Sequence, residues 1–469
     1  MRSEEDTFYY EGEVRHIIAR FEKMQRERAK TYFDVNEFED IIDYYLTTNR
    51  LKKASDAIKF GLSQHPGSIS IQHKEAQLLI DKGRIKESLQ ILKKISSVEL
   101  SNYEVFITFG TALSIAGLTQ EAIQKFDKAL ALNLDEKDEV ASLIGFALQD
   151  LEKYSEAVKY FRLAYKINPD RHSCLNELAY CYERSGQLAK AKVAYNKYLE
   201  KEPFSVMAWF NLSTVYTRME NFEEALSAID FAYAIDDMNP SVIFTRGDIF
   251  VSLQKYPEAI ESYKEFLEVE YDNIKGLIAL ADCYENIGDL KKAELLYEQA
   301  KKIDPEAPEI LFGMGMVQLR KKNYKLSRSY FKKAIEKDNE NAEFWYALSL
   351  AFELQENKLD AIDAIRKALE YDPFEPNYWI FLARLLIETG DIPEAIETLN
   401  SSFSFLPKNP SIHYWLGIYN LLNNYSKEGL YHLEQGFSVD YDLHEKILKD
   451  HKWILSLKNV KIMIEKYIR

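Results

Sequence analysis

At 469 residues, 46% of them apolar, the chain can bury a core and is not a disordered polymer. Its 17 Gly and 12 Pro are about half of ordinary usage, which excludes collagen-like and turn-rich β architectures and favours long helices with short connections. A net charge of −15 argues against a nucleic-acid binder, because phosphate contacts need surplus Lys and Arg, and against adsorption on an anionic membrane.

The N-terminal stretch MRSEEDTFYYEGEVRH lacks the basic-then-apolar layout of a signal peptide. No segment approaches the ~18 uncharged apolar residues of a membrane span, so a cytoplasmic protein without membrane insertion is expected. Three cysteines in so long a chain do not form a disulfide framework. Cys174 and Cys181, seven apart in one predicted helix, are expected as small buried thiols. Residues 1–34 carry a charged amphipathic pattern through Val14, Ile17, Ile18 and Phe21, read as an N-terminal helical cap.

From Val35 onward the chain repeats itself about every 34 residues, in segments such as EAIQKFDKALALN, EAVKYFRLAYKINP and KAELLYEQAKKIDP. Units numbered 1 to 34 start at Val35, Ile69, Tyr103, Asp138, His172, Val206, Pro240, Ile274, Pro308, Ala342, Pro376 and Pro410, with one extra residue between the third and fourth. Position 20 is always small, from Ala54 to Gly429. Position 8 is small in every unit but the first, where Ile42 stands: Ala76, Gly110, Gly145, Ala179, Ser213, Gly247, Ala281, Gly315, Ser349, Ala383 and Gly417. Position 24 is bulky, as in Phe126, Phe161, Tyr195, Tyr263, Tyr297 and Phe331. Small residues at 8 and 20 let two antiparallel helices approach closely, and the residue at 24 fills the space beside that contact. Prolines fall only at positions 1, 18 and 32, at helix starts or in loops. Position 15 holds Gly83, Gly117, Gly186, Gly288 and Gly390, with Asn49 and Asn424 in two other units, which suits a left-handed helix end. Beyond the last unit, Leu443, Ile447, Ile454, Leu457, Val460, Met463 and Tyr467 read as further helices. The expected division is therefore a cap over 1–34, twelve units over 35–443 and capping helices over 444–469.

This pattern resembles the tetratricopeptide repeat (TPR) family: a large residue at 4, Leu at 7, Gly or Ala at 8, Tyr at 11, Ala at 20, Phe or Tyr at 24, Ala at 27 and Pro at 32. Unit eight follows it with Leu277, Leu280, Ala281, Tyr284, Ala293, Tyr297, Ala300 and Pro305. Unit two (Gln72, Glu75, Ile95) and unit twelve (His413, Gly429, Gly436) depart most. The resemblance implies an all-α, right-handed superhelical solenoid of helix-turn-helix repeats, with first helices lining a concave surface.

It also implies that positions 2, 5, 9, 12 and 13 face that groove. Position 5 reads Phe210, Phe244, Ile278, Phe312, Tyr346, Ile380 and Tyr414 from unit six to unit twelve, and position 9 adds Phe146 and Tyr180. Asp248 and Asp282 at position 9, Glu183, Glu285 and Glu353 at position 12, and Glu309 and Glu343 at position 2 supply interleaved acid. The groove is then expected to hold a protein or peptide with apolar anchors and basic residues. The alternative is that the aromatics pack between neighbouring first helices. Position 5 is never Lys and position 9 never Asn, so the clamp by which some TPR co-chaperones hold a C-terminal carboxylate is missing.

No phosphate-binding, dinucleotide, zinc-protease or nucleophile-elbow motif occurs, and no CxxC. The tightest His–acid grouping, LHEKILKDH, places His444 and His451 seven apart, a poor spacing for metal ligands on one helix. The expectation is a non-enzymatic scaffold or adaptor without cofactor or metal. The alternative is an accessory subunit of an enzyme or a secretion or assembly complex whose activity another chain supplies.

Overall fold

The computed structural model describes residues 4–27, 31–133 and 135–467. Of the segment expected as an N-terminal cap, residues 1–3 and 28–30 lie outside the described residues. The chain divides into two compact units, residues 1–236 and 237–469. Among the described residues there is helix and no strand.

The first unit opens with α1 (Glu4–Glu27) and continues as six helix pairs: α2 (Val35–Thr47) with α3 (Leu51–Gln64), α4 (Ile69–Asp81) with α5 (Ile85–Val98), α6 (Tyr103–Ile115) with α7 (Thr119–Leu132), α8 (Lys137–Asp150) with α9 (Tyr154–Ile167), α10 (Ser173–Arg184) with α11 (Leu188–Leu199), and α12 (Val206–Arg218) with α13 (Phe222–Ile235). The second holds six more: α14 (Pro240–Ser252) with α15 (Tyr256–Val269), α16 (Ile274–Asn286) with α17 (Leu290–Ile303), α18 (Pro308–Arg320) with α19 (Tyr324–Lys337), α20 (Ala342–Glu353) with α21 (Lys358–Tyr371), α22 (Pro376–Thr389) with α23 (Ile392–Ser401), and α24 (Pro410–Leu422) with α25 (Ser426–Val439). Three short helices follow: α26 (Leu443–Leu448), α27 (Lys452–Ser456) and α28 (Lys458–Tyr467). Each repeat start read from the sequence lies within one residue of the start of a first helix. The extra residue, Lys137, is the first residue of α8.

Within each unit a helix packs on its chain neighbours, and first helices touch the next first helix, as α4 does α6 and α18 does α20. The reason lies in positions 8 and 24. A Cβ built on Gly110 would stand 2.4 Å from the Phe126 ring, one on Gly247 2.5 Å from Tyr263, and one on Gly315 2.5 Å from Phe331. The bulky ring therefore lies directly on the glycine backbone instead of beside it. At Ser88 and Ser349 the hydroxyl closes the same contact, Ser88 Oγ donating to the Ala76 carbonyl at 2.9 Å and Ser349 Oγ to that of Ala361 at 2.7 Å, whereas Ser213 Oγ donates to the Phe210 carbonyl of its own helix at 2.6 Å and Ser327 Oγ is buried without a partner.

Every unit turns at position 15 through the left-handed region. The expected Gly and Asn residues do so, and so do Glu152, Glu220, Gln254, Lys322 and Glu356, with φ between 56° and 63°. At Lys322 the turn is held by its own N–H on the Leu319 carbonyl and by the Asn323 N–H on that of Gln318, both 2.9 Å. A side chain at positive φ costs about 1–2 kcal/mol, which glycine avoids at an entropic cost of about 0.5–1 kcal/mol. Lys322→Gly is accordingly expected to stabilise the second unit by about 0.5–1 kcal/mol, read from its urea unfolding midpoint. A lower midpoint would mean that the lysine stem packs in a way the backbone argument neglects.

At the N-terminal side, Phe21 of α1 is fully buried against the edges of Phe33 and Phe38, and Arg20 reaches Glu37 at 2.6 Å. At the other end, Leu448, Ile454 and Val460 bury completely in the core of the second unit, and Lys466 of α28 meets Glu434 of α25 at 2.7 Å. Cys174, Cys181 and Cys283 are buried free thiols.

Candidate functional site

The aromatic positions expected on the first-helix face divide between the two units, and each set is described by itself. In the first unit, Phe146 is 42% exposed and rests edge-on against Phe161 at 5.1 Å. Tyr180 is half-buried against Tyr154 at 5.9 Å, and Arg184 lies over the Tyr154 ring. Phe210 is half-buried on α12.

In the second unit, Phe244, Phe312 and Tyr346 are half-buried. Each spends one face on packing: Phe244 on Phe266 at 5.0 Å, Phe312 stacked on Phe344 at 5.0 Å, and Tyr346 on Tyr378 at 5.0 Å and Phe381 at 5.3 Å. Phe344, Tyr378 and Phe381 belong to the first helix of the following repeat. Thus position 5 both joins successive repeats and keeps an outer surface.

Tyr414 departs from the expectation. Its side chain is fully buried, edge-on to Phe437 at 5.6 Å, with its hydroxyl donating to the Asp440 carbonyl at 2.8 Å. The reason is Gly436 at position 27, where a Cβ would meet the tyrosine ring at 3.1 Å. The missing methyl leaves a slot into which the ring turns, and Tyr414 is not available to a partner.

The carboxylates separate into two kinds. Asp248 and Asp282 are solvent-exposed on α14 and α16, and each is held by the tyrosine at position 24 of its own repeat. Tyr263 donates its hydroxyl to Asp248 Oδ1 at 2.6 Å, and Tyr297 donates to Asp282. Crowding of the carboxyl by protein raises both pKa values, Asp282 to about 6, against the lowering effect of the tyrosine bond.

The position-12 acids are already occupied. Glu285, 6% exposed, receives Arg320 Nε of the next repeat at 2.7 Å, and Glu183, 8% exposed, lies 3.5 Å from Arg218. Burial pushes both carboxyls up, and the arginines draw them partly back. Glu353 is bound by Arg384 at 2.5 Å, and Arg384 also reaches Glu388 at 3.0 Å. These acids act between repeats and are not free to attract a partner. The signal for the first two was an acid at position 12 followed by Arg at position 13 of the next unit.

His413 and His432 meet with their Nδ1 atoms 3.1 Å apart, where burial lowers both pKa values. His73 is buried beside Thr108 at 2.7 Å, and burial lowers its pKa to about 4, so it is neutral. His444 bonds the Tyr441 carbonyl, while His451 rests on the edge of Trp415. Among the described residues no group of three or more His, Cys, Asp or Glu could hold a metal ion, and no helix is long and apolar enough to cross a membrane.

Paired helices of this length, closed by a small residue at 8 and 20 and a ring at 24, define a helical repeat protein. Models of the Tetratricopeptide repeat family match residues 139–171, 177–240, 244–308, 312–376 and 353–416, together more than half of the chain, and the chain belongs to that family. It is 25% identical over 311 residues to the Protein CTR9 homolog of Arabidopsis thaliana, covering 61% of this chain and 28% of the plant protein. To TPR repeat-containing protein MJ1428 of Methanocaldococcus jannaschii it is 22% identical over 338 residues, covering 70% and 55%. To Protein O-mannosyl-transferase TMTC1 of Homo sapiens it is 25% identical over 181 residues, covering 38% and 20%. The chain thus spans between 20% and 55% of the length of these curated relatives. Among solved structures it is similar to yeast Tom70, at 17% identity and a TM-score of 0.45, covering 88% of this chain and 98% of that one.

Proposed function

We propose that the chain is a non-enzymatic scaffold or adaptor that binds a partner protein or peptide segment along its first-helix face. Phe146, Tyr180, Phe210, Phe244, Phe312 and Tyr346 are its apolar anchors, and Asp248 and Asp282 give it a preference for basic residues. The observation that carries this is the partial exposure of aromatic side chains at positions 5 and 9, which a purely structural seam would bury. In the same reading α1 and α26–α28 cover the end repeats, and the free thiols fit a reducing cytoplasm. The second reading, an accessory part of a larger enzyme or assembly, is favoured by the greater length of the relatives it matches.

The test is to capture the partner from the native cell and then compare Phe210→Ala and Phe244→Ala with the double change Asp248→Asn, Asp282→Asn. An anchor aromatic is expected to contribute about 2 kcal/mol, so each alanine change weakens binding roughly thirtyfold, mostly through dissociation. The aspartate pair should slow association and flatten its salt dependence. Because Asp282 ionises near 6, attraction for a basic partner should grow as pH rises through that value. Folded alanine variants that bind at full affinity would reduce the stripe to inter-repeat packing and sink the proposal.

A further inference from the structure

Between α7 and α9, at the step from the third repeat to the fourth, lies a cavity of about 160 Å³. Its wall is mostly apolar, with Ile123 and Phe126 of α7, Leu148 of α8 and Tyr160 of α9. Two features of the sequence open it. This is the step that carries the extra residue, and Tyr160 stands at position 23, where five other repeats have only Ala or Ser (Ala57, Ala194, Ala228, Ser262 and Ala364). The large ring rests edge-on against Phe126 at 5.8 Å and keeps α9 from closing on α7. An engineered apolar cavity of about 150 Å³ holds benzene, so this one has room for a single six-membered ring.

Tyr160 is 2% exposed, and its hydroxyl is buried without a hydrogen-bond partner among the described residues. Such a group is uncommon and points to a ligand that supplies one. Burial and the charge of Asp127 push the phenol pKa up, so at neutral pH the hydroxyl keeps its proton and needs an acceptor. The polar rim of the cavity has the opposite sign to the chain as a whole. Lys153 donates to the Ser114 carbonyl at 2.7 Å, and Lys159 lies over the Tyr160 ring at 5.2 Å. Among the described residues neither lysine has a carboxylate within ion-pair distance, and Glu156 is the one acid in the lining. Both α7 and α9 begin at this cavity, through Thr119 and Ser155, and neither start has a side-chain cap. Open N–H groups of a first helical turn add to the preference for negative charge.

A cation is disfavoured beside two lysines. An inorganic anion would leave the apolar wall unfilled, and a hydrocarbon would leave the Tyr160 hydroxyl unpaired. A ring bearing a carboxylate meets every feature: the ring covers Ile123, Phe126 and Leu148, and the carboxylate accepts from the Tyr160 hydroxyl and the lysines. We propose that the cavity between α7 and α9 is a binding site for a small carboxylate with a ring-sized apolar body. The bound molecule touches two successive repeats and so ties α9 to α7. None of its residues belongs to the aromatic stripe, so the site stands or falls independently of the protein-binding reading.

The test uses calorimetry on the full chain at low salt with three probes: benzoate, neutral benzamide of the same shape, and acetate, which has the head without the ring. Benzoate is expected to saturate the protein below ~10 mM, with benzamide and acetate each about tenfold weaker or more. Ile123→Trp fills the cavity and should abolish benzoate binding. Tyr160→Phe should weaken benzoate about threefold and, because it removes a buried unpaired hydroxyl, raise the urea midpoint of the free protein. This conservative change keeps the test decisive if the tryptophan variant fails to fold. Lys159→Gln should weaken benzoate about threefold, while Lys166→Gln, exposed farther along α9, should change it less than about twofold. The proposal is overturned if benzamide binds as tightly as benzoate, if folded Ile123→Trp binds benzoate at full affinity, if Tyr160→Phe leaves the affinity unchanged or fails to raise the midpoint, or if benzoate does not saturate below ~10 mM.

Discussion

Gly315→Val is expected to lower the stability of the second unit by about 3 kcal/mol. Even an alanine Cβ at this position would stand 2.5 Å from the Phe331 ring, and two residues earlier a Cβ on Gly313 would stand 2.2 Å from that of Tyr297. One turn of α18 is therefore clamped between the rings of two successive repeats. Glycine inside a helix costs about 1 kcal/mol in propensity, so a substitution recovers that much. The recovery is smaller than the clash, because Phe331 and its surroundings are fully buried and the ring has nowhere to go without forcing α18 and α19 apart. Four of the five tryptophans, Trp345, Trp379, Trp415 and Trp453, lie in the second unit, so tryptophan fluorescence during urea unfolding reports chiefly on it. Hydrogen exchange should place the loss in α18 and α19 while the first unit keeps its protection. An unchanged midpoint would show that the helices separate freely and that position 8 does not set their distance.

Arg320→Met is expected to cost about 2 kcal/mol at pH 7. Removing one partner of a buried pair commonly costs more, about 3–5 kcal/mol, but Arg320 is 44% exposed and water partly replaces it. The loss comes from Glu285, whose carboxylate stays buried without its counter-charge. The pH dependence has a definite sign. The Glu285 carboxyl already lies above its ordinary value of 4.5 in the folded chain, so the folded state holds more protons than the unfolded one from 4.5 up to the folded value. Across that window stability falls as pH rises. Losing Arg320 raises the folded value further and extends the window upward. The deficit of the variant should shrink as pH falls towards 4.5 and disappear below it. Arg320→Met combined with Glu285→Gln should recover most of the neutral-pH stability, measured as urea midpoints across pH 4 to 8. A deficit that does not change with pH would mean that the arginine contributes through the packing of its stem and not through its charge.

The left-handed turn at position 15 shows how far local chemistry reaches. Seven of its occurrences are readable from glycine or asparagine, which tolerate positive φ. The other five carry Glu, Gln or Lys, residues with no preference for that region, and the turn is imposed there by the hydrogen bonds that close the first helix. The tyrosines divide in the same way. A tyrosine at position 24 opposite an acid at 9, as in Tyr263 with Asp248 and Tyr297 with Asp282, is a pair visible once the register is known. The burial of Tyr414 was not visible, because it depends on a slot opened by Gly436 on the facing helix.

The sequence by itself determined the repeat length, the register of the twelve helix pairs and the residues that bring the two helices of a pair together. Those features repeat at fixed spacing, and each is decided by steric size or φ preference within one unit. The tertiary structure alone decided which acids are spent on a neighbour and which are left open. That outcome depends on the step from one repeat to the next, which brings Arg384 onto Glu353 but leaves Glu343 and Asp372 facing the same recess without a cation. Whether a carboxylate is paired depends on distances of a few ångströms between residues about 30 positions apart, and no residue type at a single position encodes that distance.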